Sequence, residues 1–299
     1  LVLKAVSPEV IGIDLGGTAI KLGRFAEDGT NLASLTVDTP QPATPKAVLE
    51  TIVLAISKID PENKAVAIGL GTPGPADASG RIALKAINLQ GWHNVHVSDY
   101  LEAKTGKATI IANDANCAGL GEAWLGAGRR FKNFILLTLG TGVGGAVFLN
   151  GKLFVGHYGG AGELGLISFN PSGPMCNSGN QGSLEQYTSV IAIRRRTGKE
   201  PAELGTLASL GDAEALKFWR KYGMDLGVGL TSLIYVLTPE AVIIGGGISA
   251  SFEFFLPTCQ AEIEKRVLDT SRDGLQILKA ELGNTAGMLG AAKLALQKF

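Results

Sequence analysis

Residues 12 to 18 read Gly-Ile-Asp-Leu-Gly-Gly-Thr and follow an apolar segment, so Asp14, Gly16, Gly17 and Thr18 fall at its end. A phosphate needs backbone N–H donors that converge with no side chain in the way, which is a reason for paired glycines. A nearby carboxylate can organise the Mg2+ that accompanies it. The competing role is a β-hairpin turn with a surface aspartate. Lys21 either approaches the same phosphate or lies on an outward strand face. Two further glycine runs widen the phosphate reading: Gly140, Thr141 and Gly142 open a loop that extends to Gly145, and Gly246 and Gly247 end a triplet begun at Gly245. The loop from Gly140 formally satisfies G-x-G-x-x-G, but a dinucleotide site requires a helix to start there, and an apolar strand follows instead. No G-x-x-x-x-G-K-[ST] occurs, which excludes a P-loop.

Asp114 follows the apolar run Ala108 to Ala112 and opens a helical stretch towards Trp124. That places it at a strand's C-terminal end, where ligands of α/β sheets gather. Capping of the helix by Asn113 or Asp114 is the competing role. Glu163 and Glu185 follow glycine-rich turns and read either as ligand-facing acceptors or as solvated loop charges. His93, His96 and His157 could be read as a metal site, but the two beside Trp92 read rather as bland or substrate-lining.

The elements that must position these residues follow from periodicity. Strands are predicted over 9–15, 18–25 and 31–38, a helix over 46–58 and a buried strand over 65–70. The theme repeats with a strand over 133–139, a glycine turn over 140–145 and a returning strand over 146–149. A helix over 213–237 stops before Pro239, a strand over 241–244 meets the glycine triplet, and a helix over 286–297 ends the chain. This order gives an α/β protein with two related lobes and a hinge near 115–120.

With 299 residues the chain can bury two cores. Lys plus Arg number 27 against 27 Asp plus Glu, and Arg194 to Arg196 are the densest basic cluster, so a small metabolite is expected as partner rather than nucleic acid. Three cysteines, Cys117, Cys176 and Cys259, lie far apart with no C-x-x-C, which argues against a disulfide framework and fits a reducing cytoplasm. No signal-peptide pattern and no run of 18 apolar residues is present, so neither export nor a membrane partner is expected. The 41 glycines exceed the usual share of about 7% and concentrate where tight turns or close ligand approach would need them.

Two strand-turn-strand phosphate loops and a late glycine triplet, in this order, resemble the actin, hexokinase and heat-shock ATPase superfamily. That resemblance implies two RNase H-like lobes with an interlobe cleft. The small N-terminal lobe would span residues 1–116, completed by the C-terminal helix 286–299, and the large lobe 117–285. Further runs narrow the likeness: Gly71-Thr72-Pro73-Gly74-Pro75, Asn88-Leu89 before Gly91-Trp92, Asn113-Asp114-Ala115-Asn116, Gly162-Glu163-Leu164-Gly165 and Gly182-Ser183-Leu184-Glu185. Together they resemble the ROK family of bacterial sugar kinases across essentially the whole chain. The resemblance implies ATP with Mg2+, glucose as the commonest acceptor, Asp114 as general base, and Gly74, Asn88, Asn113, Asp114, Glu163 and Glu185 around the sugar. It implies Asp14, Gly16, Gly17, Thr18, Lys21, Gly140, Thr141, Gly142, Gly246 and Gly247 around the nucleotide, and a homodimer.

The pattern departs from the family at its zinc element, a His after the Glu-x-Gly and three Cys in the following loop. Here Leu166 stands at the His position, and Cys176 is followed by Ser178 and Ser183. Leucine and serine do not replace imidazole and thiolate, so no structural zinc is expected. The absent His would also touch the sugar, which leaves mannose, fructose or an N-acetylhexosamine open as acceptor, and the resemblance to zinc-free members of the family leaves polyphosphate open as donor. Non-enzyme rivals are a sugar-responsive repressor of the same family and a silent sugar-binding protein. A repressor needs a DNA-binding module, and about ten residues before the first strand are too few for one.

Overall fold

The computed structural model describes residues 7–86 and 89–298. Contacts divide the chain into two compact units: one holds the chain through Arg129, Leu153–Ala161 and the chain from Asn284, and the other holds Arg130–Lys152 and Gly162–Gly283.

In the first unit β1 (Glu9–Leu15), β2 (Ala19–Phe25), β3 (Asn31–Asp38), β4 (Ala65–Thr72) and β7 (Ala108–Asn113) form a sheet in the order β3-β2-β1-β4-β7. A small hairpin of β5 (Ala83–Lys85) and β6 (His93–Val95) stands apart. Val10, Ile11, Ile13 and Leu15 of β1 are all buried, as a central strand covered on both faces requires. Alternation of exposed and half-buried residues marks β3 as the edge. Helix Pro45–Ile59 starts where Thr44 accepts from Ala47 N, with Pro45 preset for the first turn, and buries Val48, Leu49, Ile52, Ile56 and Ile59.

Helix Ala286–Leu296 packs on the same sheet through glycines. A Cβ on Gly12 would meet the Met288 carbonyl and one on Gly69 the Ala291 carbonyl. Gly121 and Gly290 likewise remove the side chains that would separate helix Asp114–Leu125 from Ala286–Leu296. The whole helix Asp114–Leu125 packs with the first unit, whose contacts extend past residue 117 to Arg129.

The second five-stranded sheet is formed by β8 (Phe134–Leu139), β9 (Val143–Leu149), β10 (Lys152–Leu153), β11 (Ala241–Gly245) and β12 (Gln276–Lys279), in the order β10-β9-β8-β11-β12. The two sheets share a plan: an antiparallel hairpin, β1-β2 or β8-β9, continues into parallel strands. The glycine turn is shorter than its predicted span of 140–145, because Gly144 and Gly145 already pair with Thr138 and Leu137 in the β8-β9 ladder. Asp212 caps helix Ala213–Leu237 by accepting from Ala215 N at 2.8 Å, and Trp219, Tyr222, Leu226, Leu230 and Ile234 bury its inner face with Phe255.

Candidate active site

In the first unit the predicted residues stand in a row at the C-terminal ends of parallel strands. Asp14 on β1 is in register with Gly71 on β4, Gly71 with Ala112 on β7, and Thr72 with Asn113. This is the edge where ligands of open α/β sheets bind. The β1-β2 turn is held from outside: Gly16 N donates to Ala19 O at 3.0 Å, Thr39 Oγ1 donates to Gly16 O at 2.7 Å, and Thr39 N donates to Thr18 O at 3.0 Å. Nothing lies within 4 Å of a Cβ built on Gly17, so that peptide is open to an approaching group. Sequence reasoning did not single out Thr39, since a lone threonine 23 residues from its partner leaves no local pattern.

Asp14 and Lys21 face each other across the β1-β2 ladder, with Lys21 Nζ 3.8 Å from Asp14 Oδ2. Burial pushes the Asp14 carboxyl above the ordinary carboxylate range, and Lys21 pulls it part of the way back. Lys21 thus lies on the same side of the β1-β2 ladder as Asp14. Gly287, which spacing did not flag, lies against this carboxylate: a Cβ there would stand 2.9 Å from Asp14 Cγ.

Of the two residues that could cap helix Asp114–Leu125, Asn113 takes the role. Asn113 Oδ1 accepts from Ala115 N at 2.9 Å and from Asn116 N at 3.1 Å, which makes it the helix cap. Its Nδ2 donates to Gly74 O at 3.2 Å, fixing the Gly74 turn. Gly74 has φ 77° and no room for a Cβ beside the Lys85 carbonyl. Asp114 is the first helical residue and is exposed, with Oδ1 accepting from Ala115 N at 2.8 Å. Asn88 lies outside the described residues. Trp92, four residues on, is a core anchor, 3% exposed with Nε1 donating to Ala43 O.

The second unit gathers Glu163, Glu185 and the β8-β9 turn. Gly140 N donates to Gly142 O at 2.9 Å, while Gly140 O accepts from Val190 N at 2.9 Å. Thr141 at the tip is exposed. Glu185 opens the short helix Glu185–Thr188, and its Oε2 accepts from Val143 N at 2.9 Å. Glu163 leads into the 3-10 turn Leu164–Leu166, which rests on β9 because Gly145 and Gly165 leave space there. Glu163 keeps an open face to solvent, yet the protein crowding its carboxylate, and then the charge of Glu185, push its pKa up. Gly246, at φ 80°, sits against the Leu139 carbonyl where the parallel strands β8 and β11 end, and Gly247 has open space beside it.

Each unit therefore presents a glycine hairpin with backbone donors at its tip and carboxylates beside it. The sequence profile of the ROK family matches residues 10–298. The chain belongs to the ROK family. Glucokinase of Thermotoga maritima is 34% identical over 311 residues, covering 97% of this chain and 98% of that protein. The crystal structure of a ROK family glucokinase from Streptomyces griseus, in complex with glucose and AMPPNP, matches at TM-score 0.84 and 32% identity over 97% of this chain and 99% of that one. The inorganic polyphosphate/ATP-glucomannokinase of Arthrobacter sp. strain KM matches at TM-score 0.70 and 30% identity over 98% and 100% of the respective chains.

This ROK chain carries no group of three or more His, Cys, Asp or Glu placed to hold a metal among the described residues. Around Leu166 one thiol, that of Cys176, and the hydroxyls of Ser178 and Ser183 do not make a zinc ligand set. The Leu166 carbonyl is instead taken by Asn180 Nδ2 at 2.9 Å. Among the described residues no helix is long and apolar enough to cross a membrane.

Proposed function

We propose that this ROK protein is a hexose kinase that transfers the γ-phosphoryl group of ATP to the 6-hydroxyl of glucose. The observation that carries the reading is the pairing of Asn113 with Asp114. The helix cap is supplied by Asn113, and Asp114 presents a carboxylate to solvent at the strand end where acceptors bind. Asp114 takes the hydroxyl proton as that oxygen attacks the γ-phosphorus, and the bond to the leaving ADP oxygen breaks. Proton transfer of this kind contributes about 10²–10⁴ in rate. The remaining barrier is lowered by positioning and by charge stabilisation.

Glu163 and Glu185 accept from sugar hydroxyls, and Gly74, Asn88 and Asn113 complete the acceptor site. Backbone donors of Gly16, Gly17, Thr18, Gly140, Thr141 and Gly142 take the phosphates, and Gly246 and Gly247 line the adenosine. Mg2+ held with the nucleotide would neutralise phosphate charge. Asp14 is the carboxylate beside the β1-β2 turn that would hold the ion, and a bound cation would favour its ionised form against the burial that raises its pKa.

Support for glucose comes from the Thermotoga and Streptomyces relatives, and the Arthrobacter relative keeps mannose and polyphosphate in view. The test is a coupled kinase assay with glucose, mannose, fructose and N-acetylglucosamine, run with ATP and with polyphosphate. Turnover of glucose with ATP is expected. Glucose inert while another sugar reacts would overturn the acceptor, and no turnover of any sugar would overturn the kinase reading in favour of sugar binding alone. The same reading makes the protein a cytoplasmic homodimer, which sedimentation and cell fractionation test.

A further inference from the structure

We infer that Asn180 is a positioning residue whose side-chain amide fastens the segment carrying Glu163 to the segment leading into Glu185. The role of the two glutamates rests on the sugar-kinase reading above; the fastening itself does not.

The two segments run side by side. Leu184 N donates to Ile167 O at 3.0 Å, Phe169 N donates to Gly182 O at 2.9 Å, and Ser168 bridges to Ser183. These backbone bonds reach no further back than Ile167. The turn Leu164–Leu166, which Glu163 leads into and whose Leu166 N donates to Glu163 O at 3.0 Å, lies beyond them. Its last carbonyl is the kind of helix-end acceptor that has no partner within the turn. Asn180 supplies one: its Nδ2 donates to Leu166 O at 2.9 Å and to Ser168 Oγ at 3.2 Å.

The amide is itself held. Gln181 N donates to Asn180 Oδ1 at 2.8 Å, which fixes which end of the side chain is oxygen. Asn180 O accepts from Cys176 N at 2.8 Å, which ties the loop that delivers it. One neutral side chain thus joins the end of the Glu163 turn to a loop that enters helix Glu185–Thr188 five residues later. A carboxylate pair that must meet fixed hydroxyls gains from such fastening, because small misplacements weaken every bond the pair makes. The fastening consists of an amide donor with a carbonyl and a hydroxyl as acceptors, so it needs no cation.

The test compares Asn180→Asp with Ser168→Ala. The aspartate keeps size and the acceptor for Gln181 N but sets an oxygen against Leu166 O. Asn180→Asp is expected to raise the sugar KM by about ten- to hundredfold while kcat and the ATP KM stay within about threefold. Ser168→Ala, which removes the contacts of Asn180 with Ser168 Oγ but leaves the bond to Leu166 O, should show a smaller rise. Amide hydrogen exchange should quicken at residues 164–168 in Asn180→Asp, and this readout does not depend on turnover. If the wild type phosphorylates no sugar, the kinase reading fails while exchange still decides the fastening. An unchanged sugar KM, unchanged exchange, or a loss shared equally by sugar KM, ATP KM and Tm would overturn the proposal.

Discussion

Glu185 Oε2 accepts a hydrogen bond from Val143 N at 2.9 Å, so a carboxylate assigned to the sugar also pins the base of the glycine hairpin assigned to phosphate. Gly142 has no room for a side chain there, since a Cβ would stand 2.5 Å from the same oxygen. Glu185→Ala is therefore expected to impair both substrates. Loss of a charged hydrogen-bond partner costs about 1.5–3 kcal/mol, roughly ten- to hundredfold in kcat/KM. Glu185→Gln, which keeps an oxygen, should lose less for ATP than for sugar. Kinetics with each substrate varied at saturating levels of the other measure the split; an effect on the sugar alone would show that the Val143 contact is incidental.

Asp114 and Asn113 should separate on mutation. Asp114→Asn is expected to lower kcat by about 10²–10⁴ while sugar affinity and Tm stay near wild type, because a general base is lost but the cap remains. Asn113→Ala removes the cap bonds to Ala115 N and Asn116 N and should cost about 1 kcal/mol of stability as well as the hold on Gly74. Calorimetric sugar binding and thermal melts distinguish the two. Normal turnover by Asp114→Asn would remove the base from the mechanism.

Much of this was legible in the chain because period and punctuation are local signals. Strands Glu9–Leu15 and Asn31–Asp38 and helix Ala213–Leu237 fall where apolar spacing predicts them. The glycine excess was legible as a need for close approach, but not its partner. Gly69 lies inside β4 rather than at a turn, and what approaches it is the Ala291 carbonyl of a helix more than 200 residues later in the chain. The packing of helix Asp114–Leu125 with the first unit was illegible for the same reason, since the contact of Gly121 with Ala286 joins distant parts of the chain. Asn180 had no signal at all. An asparagine in a glycine-rich loop reads as turn chemistry, and its bond to Leu166 depends on a fold that brings two loops together.

The raised pKa of Glu163 sets a pH dependence. Burial, then the charge of Glu185, lift it above the ordinary carboxylate value, so the ionised acceptor is lost at a higher pH than an exposed glutamate would be. Sugar KM should rise as pH falls through that elevated value. Glu163→Gln should flatten the acid limb, and Glu185→Gln should move the limb to lower pH by removing the like charge. Profiles of kcat/KM for sugar from pH 4.5 to about 8 would decide this, in the way such profiles report free-enzyme groups. An acid limb unmoved in Glu163→Gln would assign it elsewhere.

Asp60 is expected to contribute to the acid stability of the first unit. Its side chain is fully buried, and it meets Lys107 Nζ at 3.0 Å, Arg24 Nη1 at 3.1 Å, Lys64 N at 2.8 Å and Ala65 N at 3.1 Å. Burial alone would raise its pKa, but hydrogen bonds from Lys107, the two backbone amides and Arg24 outweigh it and hold the carboxyl below its ordinary value. A carboxyl depressed in the folded state adds stability that is fully present above its unfolded pKa of about 3.9 and is lost as pH falls towards the folded value. Asp60→Asn strips the counter-charge from Lys107 and Arg24 and should cost about 3 kcal/mol at neutral pH. Its urea midpoint should then fall less steeply than that of the wild type below about pH 4, because the proton that the wild type must take up there no longer matters. Urea titrations of both proteins between pH 3 and about 7 read the two slopes, and parallel slopes would mean that carboxylates other than Asp60 set the acid limit.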